Sequence, residues 1–353
     1  MINGMVIVDA VVHPWNMSPE NQNPAAQAQI DAVYASHKLS YDDANKNYIL
    51  QPDEFFRDLD FDVIALAEFV ESPVDYAVLH SLPNLGFGLG HITLPEKCAA
   101  FRDQFPHRTS MLGTVGTPIV GTAIDEIKRQ QDVLKIDGVK LYPAFFYDGI
   151  GEGWRMDGTD WATPFFEYCQ QAGLRRVAIH KALWLAPAPK DAFDIDDMGS
   201  PLARFPDINF EMVHGGAAFL DETIELMKRH PNLYLTLETT FSYILTRPKV
   251  FDKILGRLVT EVGSDRLLFA SGNNLAHPAP LIQAFRGYQF AEQHQHEFGI
   301  RPLTDSDRCN ILGLNAVRLY GLDSELMLAT NDSDAFSVAR QNGIPQAWSG
   351  LRG

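Results

Sequence analysis

Residues 138–180 read GVKLYPAFFYDGIGEGWRMDGTDWATPFFEYCQQAGLRRVAIH and contain one complete strand–helix–strand unit. Two short apolar runs, Gly138–Tyr142 and Arg176–Ile179, flank the amphipathic block Ala162–Ala172. Apolar runs that alternate with helix-like blocks of about 10–15 residues are typical of parallel βαβ units. The stretch therefore predicts two neighbouring parallel strands joined by a helix.

The same alternation continues in both directions along the chain. Further β-rich runs lie at Met5–Val8, Asp75–Leu79, Thr109–Val115, Asn209–Val213, Leu233–Leu237 and Arg266–Ala270. Helix-like blocks lie at about Pro52–Val70, Thr122–Leu134, Phe219–Arg229 and Lys249–Val262. Together these runs make about eight units, which predict an α/β fold, a closed (β/α)8 TIM barrel. The first strand is not followed by the G-x-G-x-x-G turn of a dinucleotide-binding sheet, so an open nucleotide-binding fold is disfavoured.

The barrel is expected to occupy residues 1–330 as one domain. It is interrupted after the first strand by the polar stretch Asn16–Tyr48, which is rich in Asn, Gln and Ala. We expect this insertion to be partly helical and to lie over the C-terminal face, where barrel sites form. The last residues, 331–353, are polar and are expected to form an extended or partly ordered C-terminal arm.

Composition excludes several classes of function. The chain of 353 residues has 45 acidic and 29 basic side chains, and its formal net charge is -16. Nucleic acids and anionic membranes bind basic surfaces, so neither is an expected partner. The three cysteines, Cys98, Cys169 and Cys309, have no metal-binding or disulfide spacing. With no signal peptide or membrane span in the sequence, we expect a cytoplasmic protein.

Polar side chains follow most of the predicted strands. In a barrel, residues just beyond the carboxyl ends of the strands point into the site. In chain order these residues are Asp9, His13, His80, Lys140, Tyr142, His180, His214, Glu238 and Asn273. Imidazole binds Zn²⁺ and similar metals and also transfers protons near neutral pH. The pattern therefore predicts a metal-binding or acid–base site at one end of the barrel.

Several motifs carry a specific resemblance. They read VDAVVHP at 8–14, GVKLYP at 138–143, NFEMVHGG at 209–216, LLFASGN at 267–273 and RCNILGLNAVRLYGL at 308–322. In this order, and with VAIHKA after the helix of the opening unit, the chain resembles the amidohydrolase superfamily. Within it, the chain is most similar to the amidohydrolase-2 branch, which includes aminocarboxymuconate semialdehyde decarboxylase. The resemblance extends from about Val6 to Leu322.

The resemblance implies a metal bound by His-x-His after strand one, a His after strand five and an Asp after strand eight. Carried over by position, His13 and His180 match metal ligands. His214 matches a histidine after strand six that acts as a base or contacts substrate. Val11 replaces the first histidine of the His-x-His pair, and Asn273 replaces the aspartate.

These replacements disfavour ordinary hydrolysis, because valine cannot ligate a metal and asparagine cannot accept a proton from metal-bound water. We expect at most one divalent metal, Zn²⁺, Fe²⁺ or Mn²⁺, held by His13, His180 and possible further ligands in His214 and Glu238. His214, Glu238, Asn273 and Lys140 are the predicted catalytic residues. For Lys140, a clamp on a substrate carboxylate and a carbamylated metal bridge compete with an ion pair to Glu238, which we favour.

The resemblance leaves three functions open. In the first, the chain is the less complete subunit of a two-barrel, oxygen-dependent hydroxylase of a small amino acid, similar to 2-aminoisobutyrate hydroxylase, with a homologous barrel as partner. The second is a stand-alone metal-dependent decarboxylase or hydrolase of a small carboxylic acid, and the third is a non-catalytic scaffold barrel. For the first function, the arm is expected to dock Phe336, Ile344 and Trp348 into pockets on the neighbouring subunit.

Overall fold

A computed structural model describes residues 5–147, 150–186 and 188–352. Eight parallel strands form one sheet in the order β1-β2-β3-β4-β7-β8-β9-β10, and β5 and β6 form a separate antiparallel hairpin. The strands are β1 (Val8–Val12), β2 (Tyr76–His80), β3 (Thr109–Thr114), β4 (Gly138–Leu141), β5 (Ala144–Tyr147), β6 (Ile150–Gly153), β7 (Arg176–His180), β8 (Asn209–Val213), β9 (Leu233–Thr236) and β10 (Leu267–Leu268).

Backbone hydrogen bonds join the last strand to the first. The Ala10 N–H donates to the Phe269 carbonyl at 3.0 Å, and the Gly272 N–H donates to the Val11 carbonyl at 3.0 Å. The sheet thus closes on itself, which leaves no exposed edge. The prediction of a (β/α)8 barrel is confirmed.

Helices follow the strands and cover the outside of the barrel. Their apolar faces pack on strands that are buried along most of their length, as expected for a parallel sheet with covered faces. The α-helices are α1 (Gln27–Lys38), α2 (Pro52–Phe55), α3 (Phe61–Phe69), α4 (Pro95–Gln104), α5 (Val120–Arg129), α6 (Ala162–Gln171), α7 (Gly199–Arg204), α8 (Leu220–Arg229), α9 (Tyr243–Thr246), α10 (Pro248–Glu261), α11 (Pro278–Arg286), α12 (Glu292–Phe298), α13 (Asp305–Cys309), α14 (Asn315–Tyr320), α15 (Ser324–Asn331), α16 (Ala335–Gln341) and α17 (Ser349–Arg352).

The first strand starts three residues and ends four residues later than the predicted Met5–Val8. Asp9, predicted to follow the end of the strand, lies inside it. Asp9 is fully buried because its Oδ1 accepts hydrogen bonds from the backbone N–H groups of Val11 and Ser271, at 3.2 and 3.0 Å. These bonds compensate for placing a carboxyl group in the sheet.

The insertion after β1 is partly helical. It contains α1 and short 3-10 turns, and α1 lies over the C-terminal end of the barrel, where Gln29, Val33 and Ser36 line a cavity. One end of the insertion is fixed by His37, whose Nε2 accepts from the Leu50 N–H at 2.8 Å.

The C-terminal arm packs on its own chain, so the expectation that Phe336 and Trp348 dock into a neighbour is wrong. Phe336 packs against Phe69, with ring centroids 5.2 Å apart. Trp348 is fully buried, and its indole N–H donates to the Tyr48 carbonyl at 2.8 Å. Both aromatic rings find apolar surface within the barrel's own helices. Of the three anchors, Ile344 alone is exposed, at 65%.

Candidate active site

A cavity of about 500 Å³ opens at the carboxyl ends of the strands. Its floor carries four of the polar residues that were predicted from their places at or just beyond strand ends. They are His13 after β1, His180 at the end of β7, His214 after β8 and Glu238 after β9. Its walls are mainly apolar and aromatic. They include Trp15, Val33, Leu39, Leu82, Leu85, Phe87, Tyr142, Leu183, Trp184, Leu185, Tyr243 and Leu275. A few polar groups beneath apolar walls are typical of small-molecule sites.

Three floor residues lie in a row, in which His180 and His214 share a hydrogen bond and Glu238 lies next to His214. His180 Nδ1 lies 3.1 Å from His214 Nε2, and His214 Nδ1 lies 3.3 Å from Glu238 Oε2. His180 Nε2 lies 2.8 Å from the Leu183 carbonyl oxygen, which can only accept, so this nitrogen carries the proton. In the neutral rings His180 Nδ1 then accepts from His214 Nε2–H, and His214 Nδ1 is left as an acceptor facing Glu238.

Burial sets the protonation of this row. It holds the pKa of both His180 and His214 well below the usual value, so both rings are neutral near pH 7. Burial also raises the pKa of Glu238 to about 7, although Lys140 opposes the rise. Among the described residues His214 Nδ1 has no hydrogen-bond partner, although Glu238 Oε2 lies 3.3 Å from it. A protonated Glu238 therefore donates to His214 Nδ1 only after its carboxyl group reorients.

His13 stands apart from this row. Its Nδ1 lies 3.0 Å from the His80 carbonyl oxygen and is therefore the protonated nitrogen of the neutral ring. Burial lowers the pKa of His13 to about 3. The ring stacks on Trp15, with centroids 5.7 Å apart, so it presents Nε2 as an acceptor beside an aromatic wall.

Lys140 lies below the cavity and does not line it. Its side chain is 1% exposed, and Nζ lies 5.2 Å from the centre of the Tyr142 ring. Burial lowers the pKa of Lys140 to about 8, against the opposing effect of Glu238 and Glu211. The predicted ion pair is wrong for the described residues: no carboxylate oxygen lies within 4 Å of Nζ, and Glu238 turns towards His214 instead.

Asn273, a predicted catalytic residue, does not line the cavity. Its side-chain amide donates to Oε1 of Glu68 on α3, and the residue is fully buried. Glu68 lies on α3, outside the pattern of polar residues at strand ends, so its hydrogen bond to the amide is not predictable from the sequence. Gly272, beside it, passes close to the floor: a Cβ there would lie 2.6 Å from Glu238 Oε1.

The residues present do not fit the four-ligand metal centre that the resemblance implies. Val11 is buried within β1, and Asn273 is turned to Glu68. Both ring nitrogens of His180 are engaged in hydrogen bonds. Among the described residues, no group of three or more His, Cys, Asp or Glu side chains is arranged to hold a metal ion. A firmly held divalent metal normally has at least three protein ligands.

A closed α/β barrel with a histidine-rich cavity at the carboxyl ends of its strands defines a barrel of the amidohydrolase type. The amidohydrolase family model matches residues 8–322, and the chain belongs to this family. No curated protein matches the chain. Within the described ranges, no helix is both long and apolar enough to cross a membrane.

Solved structures share the fold at low identity. An uncharacterized TIM-barrel protein from Bordetella bronchiseptica is 18% identical, with a TM-score of 0.63 over 90% of this chain and 99% of that one. 5-Carboxyvanillate decarboxylase from Novosphingobium aromaticivorans, with bound manganese, is 13% identical, with a TM-score of 0.55 over 90% and 98%. Dihydroxybenzoic acid decarboxylase from Polaromonas sp. JS666, with manganese and 2-nitroresorcinol, is 14% identical, with a TM-score of 0.54 over 93% and 99%.

Proposed function

We propose that the chain is a stand-alone decarboxylase that acts on a small, mainly apolar carboxylic acid bound in the cavity. The observation that carries the proposal is the row of His180, His214 and Glu238 beneath apolar walls. The two decarboxylases that share the fold support the same type of reaction.

The row supplies the proton that decarboxylation requires. When the bond from carbon to the carboxylate breaks, its electron pair remains on the substrate carbon and CO2 leaves. That carbon must then take a proton to form the new C–H bond. His214 lines the cavity floor, and in this reaction its Nε2–H leaves the hydrogen bond to His180 Nδ1 and protonates the substrate carbon, while a protonated Glu238 gives its proton to Nδ1. After the product leaves, water protonates Nε2 and Nδ1 returns its proton to Glu238, so each turnover takes up one proton from water.

The walls favour the same reaction. A carboxylate that leaves water for an apolar cavity loses hydration, whereas CO2 loses almost none, so burial favours the bond-breaking step. Trp15, Phe87 and Tyr142 offer flat apolar surfaces to the body of the substrate. A cavity of about 500 Å³ accommodates a molecule with one ring.

The metal is a separate part of the proposal. The resemblance implies at most one divalent metal, contacted by His13 and His180, and two solved decarboxylases of this fold contain manganese. The ligand set of this chain supports weak binding at most, so no step of the reaction is assigned to a metal. Elemental analysis of the purified chain is expected to give no more than one equivalent, and two equivalents would contradict this expectation.

The competing proposal is the less complete subunit of a two-barrel hydroxylase. Val11 and Asn273, at positions where the resemblance implies ligands, favour it. It predicts no turnover without a homologous barrel partner. In the decarboxylase proposal the chain alone is active.

The experiment measures CO2 release by the full-length chain from a panel of aromatic and aliphatic carboxylic acids. The panel includes 5-carboxyvanillate and 2,6-dihydroxybenzoate, each tested with and without added Mn²⁺. We expect release from at least one acid, and a fall in kcat of about 10²–10⁴-fold in His214→Asn. The control is His296→Asn, which changes an exposed histidine outside the cavity. No release from any acid, or full activity in His214→Asn, would refute the proposal.

A further inference from the structure

One basic side chain stands at the mouth of the cavity. Of the described residues that line it, Arg247 is the only lysine or arginine. The other ionisable groups of the lining are the three floor histidines, Glu238, and the hydroxyls of Tyr142 and Tyr243. Since the histidines are neutral, Arg247 is the one lining residue that carries a permanent positive charge.

The Arg247 guanidinium has no anionic partner within the described ranges. Among the residues that the structure describes, no carboxylate oxygen lies within 4 Å of it and no acceptor is hydrogen-bonded to its side chain. It is exposed and lies over the ring of Tyr243, with Cζ 5.4 Å from the ring centre. Its neighbour Lys249 differs, because its Nζ pairs with Glu297 at 2.8 Å. The stacked ring restricts Arg247 while leaving its hydrogen-bond donors free.

The backbone fixes where Arg247 stands. The residue joins α9 to α10, and its N–H donates to the Tyr243 carbonyl at 2.8 Å. Its own carbonyl accepts from Val250 and Phe251 in the first turn of α10, at 2.9 and 3.0 Å. The side chain is thus carried by a rigid junction and not by a long loop, which suits a group that positions a ligand.

We propose that Arg247 binds a second acidic group of the substrate. The cavity would then select a compact apolar body with two anionic groups, one leaving at the histidine floor and one held at the mouth. The role of the leaving carboxylate rests on the proposed decarboxylase function, whereas the role of Arg247 in binding the second group does not. A guanidinium matches a carboxylate through two parallel hydrogen bonds, and charge-assisted bonds of this kind are the strong ones.

The negative net charge of the chain disfavours binding of a dianion, so such a ligand needs a local positive charge such as Arg247. With a formal net charge of -16, the protein repels a dianion at long range, and Glu238 adds to this when it is ionised. Three exposed apolar residues, Leu39, Leu183 and Trp184, line the same cavity, and a ligand bound among them meets less water, which strengthens its attraction to a guanidinium. A monoanion that binds at the floor gains nothing from Arg247.

The test measures binding of two probes to the full-length chain by isothermal titration calorimetry. Isophthalate carries two carboxylates on one ring, and benzoate carries one. We expect the wild-type chain to bind isophthalate at least about tenfold more tightly than benzoate, a difference of about 1.4 kcal/mol. Arg247→Gln should abolish this preference and leave benzoate binding unchanged. Arg247→Lys should retain part of this preference, because lysine keeps the positive charge but lacks the planar guanidinium that forms two parallel hydrogen bonds.

Lys249→Gln is the matched control, since it removes one positive charge two residues away that already has a partner. Thermal melting of each variant checks that the fold is intact. The inference is overturned if the wild type does not prefer isophthalate, if Arg247→Gln weakens both probes equally, or if Lys249→Gln has the same effect. Because binding is the readout, a failure to release CO2 would count against the proposed reaction and not against this role of Arg247.

Discussion

At the scale of single residues, the position of Glu238 depends on the absence of a side chain at Gly272. Gly272 has φ of +74°, and a Cβ on it would lie 2.6 Å from Glu238 Oε1. A methyl group there must displace the carboxyl group from His214. We expect Gly272→Ala to lower the rate of CO2 release by at least about tenfold, as loss of one proton-transfer partner does.

The matched control for this variant is Gly299→Ala. Gly299 also has a positive φ, +64°, but its Cβ would meet nothing within 4 Å. Both substitutions carry the same backbone strain, about 1 kcal/mol, and Gly272→Ala adds the contact with Glu238, so it should lower the melting temperature somewhat more. Only Gly272→Ala should lower activity. Equal activity in the two variants would contradict the role assigned to Glu238.

Several residues of the cavity floor could be predicted from the sequence, because residues at the carboxyl ends of barrel strands point into the site and strand ends are visible in the sequence. This pattern located His13, His180, His214 and Glu238. It did not predict the direction of the Asn273 side chain, which depends on a hydrogen bond to a residue 205 positions away in the chain. It also missed Arg247, which lies between two helices and carries no motif.

At the scale of elements, a buried ion pair holds the loop after β7. Lys181 Nζ donates to Asp197 Oδ2 at 2.8 Å and to the carbonyls of Ala192 and Asp194, at 2.8 and 2.9 Å. Neither charged side chain is more than 1% exposed. This loop also brings the Leu183 carbonyl to His180, so the ion pair supports the tautomer on which the proton row depends.

We expect Lys181→Met to destabilise the protein by about 3–5 kcal/mol, because it leaves the Asp197 carboxylate buried without a counter-charge. Urea unfolding measures the change. The double variant Lys181→Met with Asp197→Leu removes both charges and should recover most of the stability. A single variant as stable as the wild type would show that the pair is not needed to hold the loop.

A second element, the C-terminal arm, is held by the Arg352–Glu54 and Arg108–Asp334 ion pairs and, at Trp348 and Ser349, by one carboxylate. Glu71 accepts from the backbone N–H groups of Trp348 and Ser349 at 2.6 and 2.8 Å, and from His277 Nε2 at 2.8 Å. Burial alone would raise the pKa of Glu71, but these hydrogen bonds lower it overall. His277 is neutral, since burial lowers its pKa, and its Nδ1 accepts from the Ala279 N–H, so Nε2 is the donor.

A lowered pKa in the folded state means that Glu71 stabilises the arm fully above its unfolded-state pKa of about 4.3. This stabilisation is lost as the pH falls through the still lower folded-state value. We expect hydrogen exchange of residues 335–352 to increase below about pH 4 before the barrel strands open. Glu71→Gln should already show fast exchange at pH 7. An arm that stays protected until the barrel unfolds would contradict this account.

The elements show what periodicity can and cannot predict. Most strands and the longest helices were predicted within a few residues, because apolar runs of a buried parallel sheet are distinctive. The hairpin of β5 and β6 was missed, since its aromatic and glycine residues follow β4 without a break. The helices of the arm were missed because the interactions that stabilise them are contacts with α3 and the insertion.

At the scale of the whole molecule, the barrel has kept the family's fold while its site has changed. Backbone bonds between β1 and the residues just after β10 close the sheet, and the cavity lies at the carboxyl ends of the strands, the usual site of barrel enzymes. At position 11 the chain has a buried valine, and at position 273 an asparagine whose amide donates to Glu68. In the proposed function, the side chains of His180, His214 and Glu238 transfer the proton, and the chain acts alone.

The most direct test of this claim is to run the reaction of the purified chain alone in D2O and to locate deuterium in the product by NMR. The acid used is one that releases CO2 in the panel above. We predict a product with one deuterium at the carbon that lost CO2, formed by the wild type and not by His214→Asn. A hydroxylated product, or turnover only after a second barrel is added, would contradict the account.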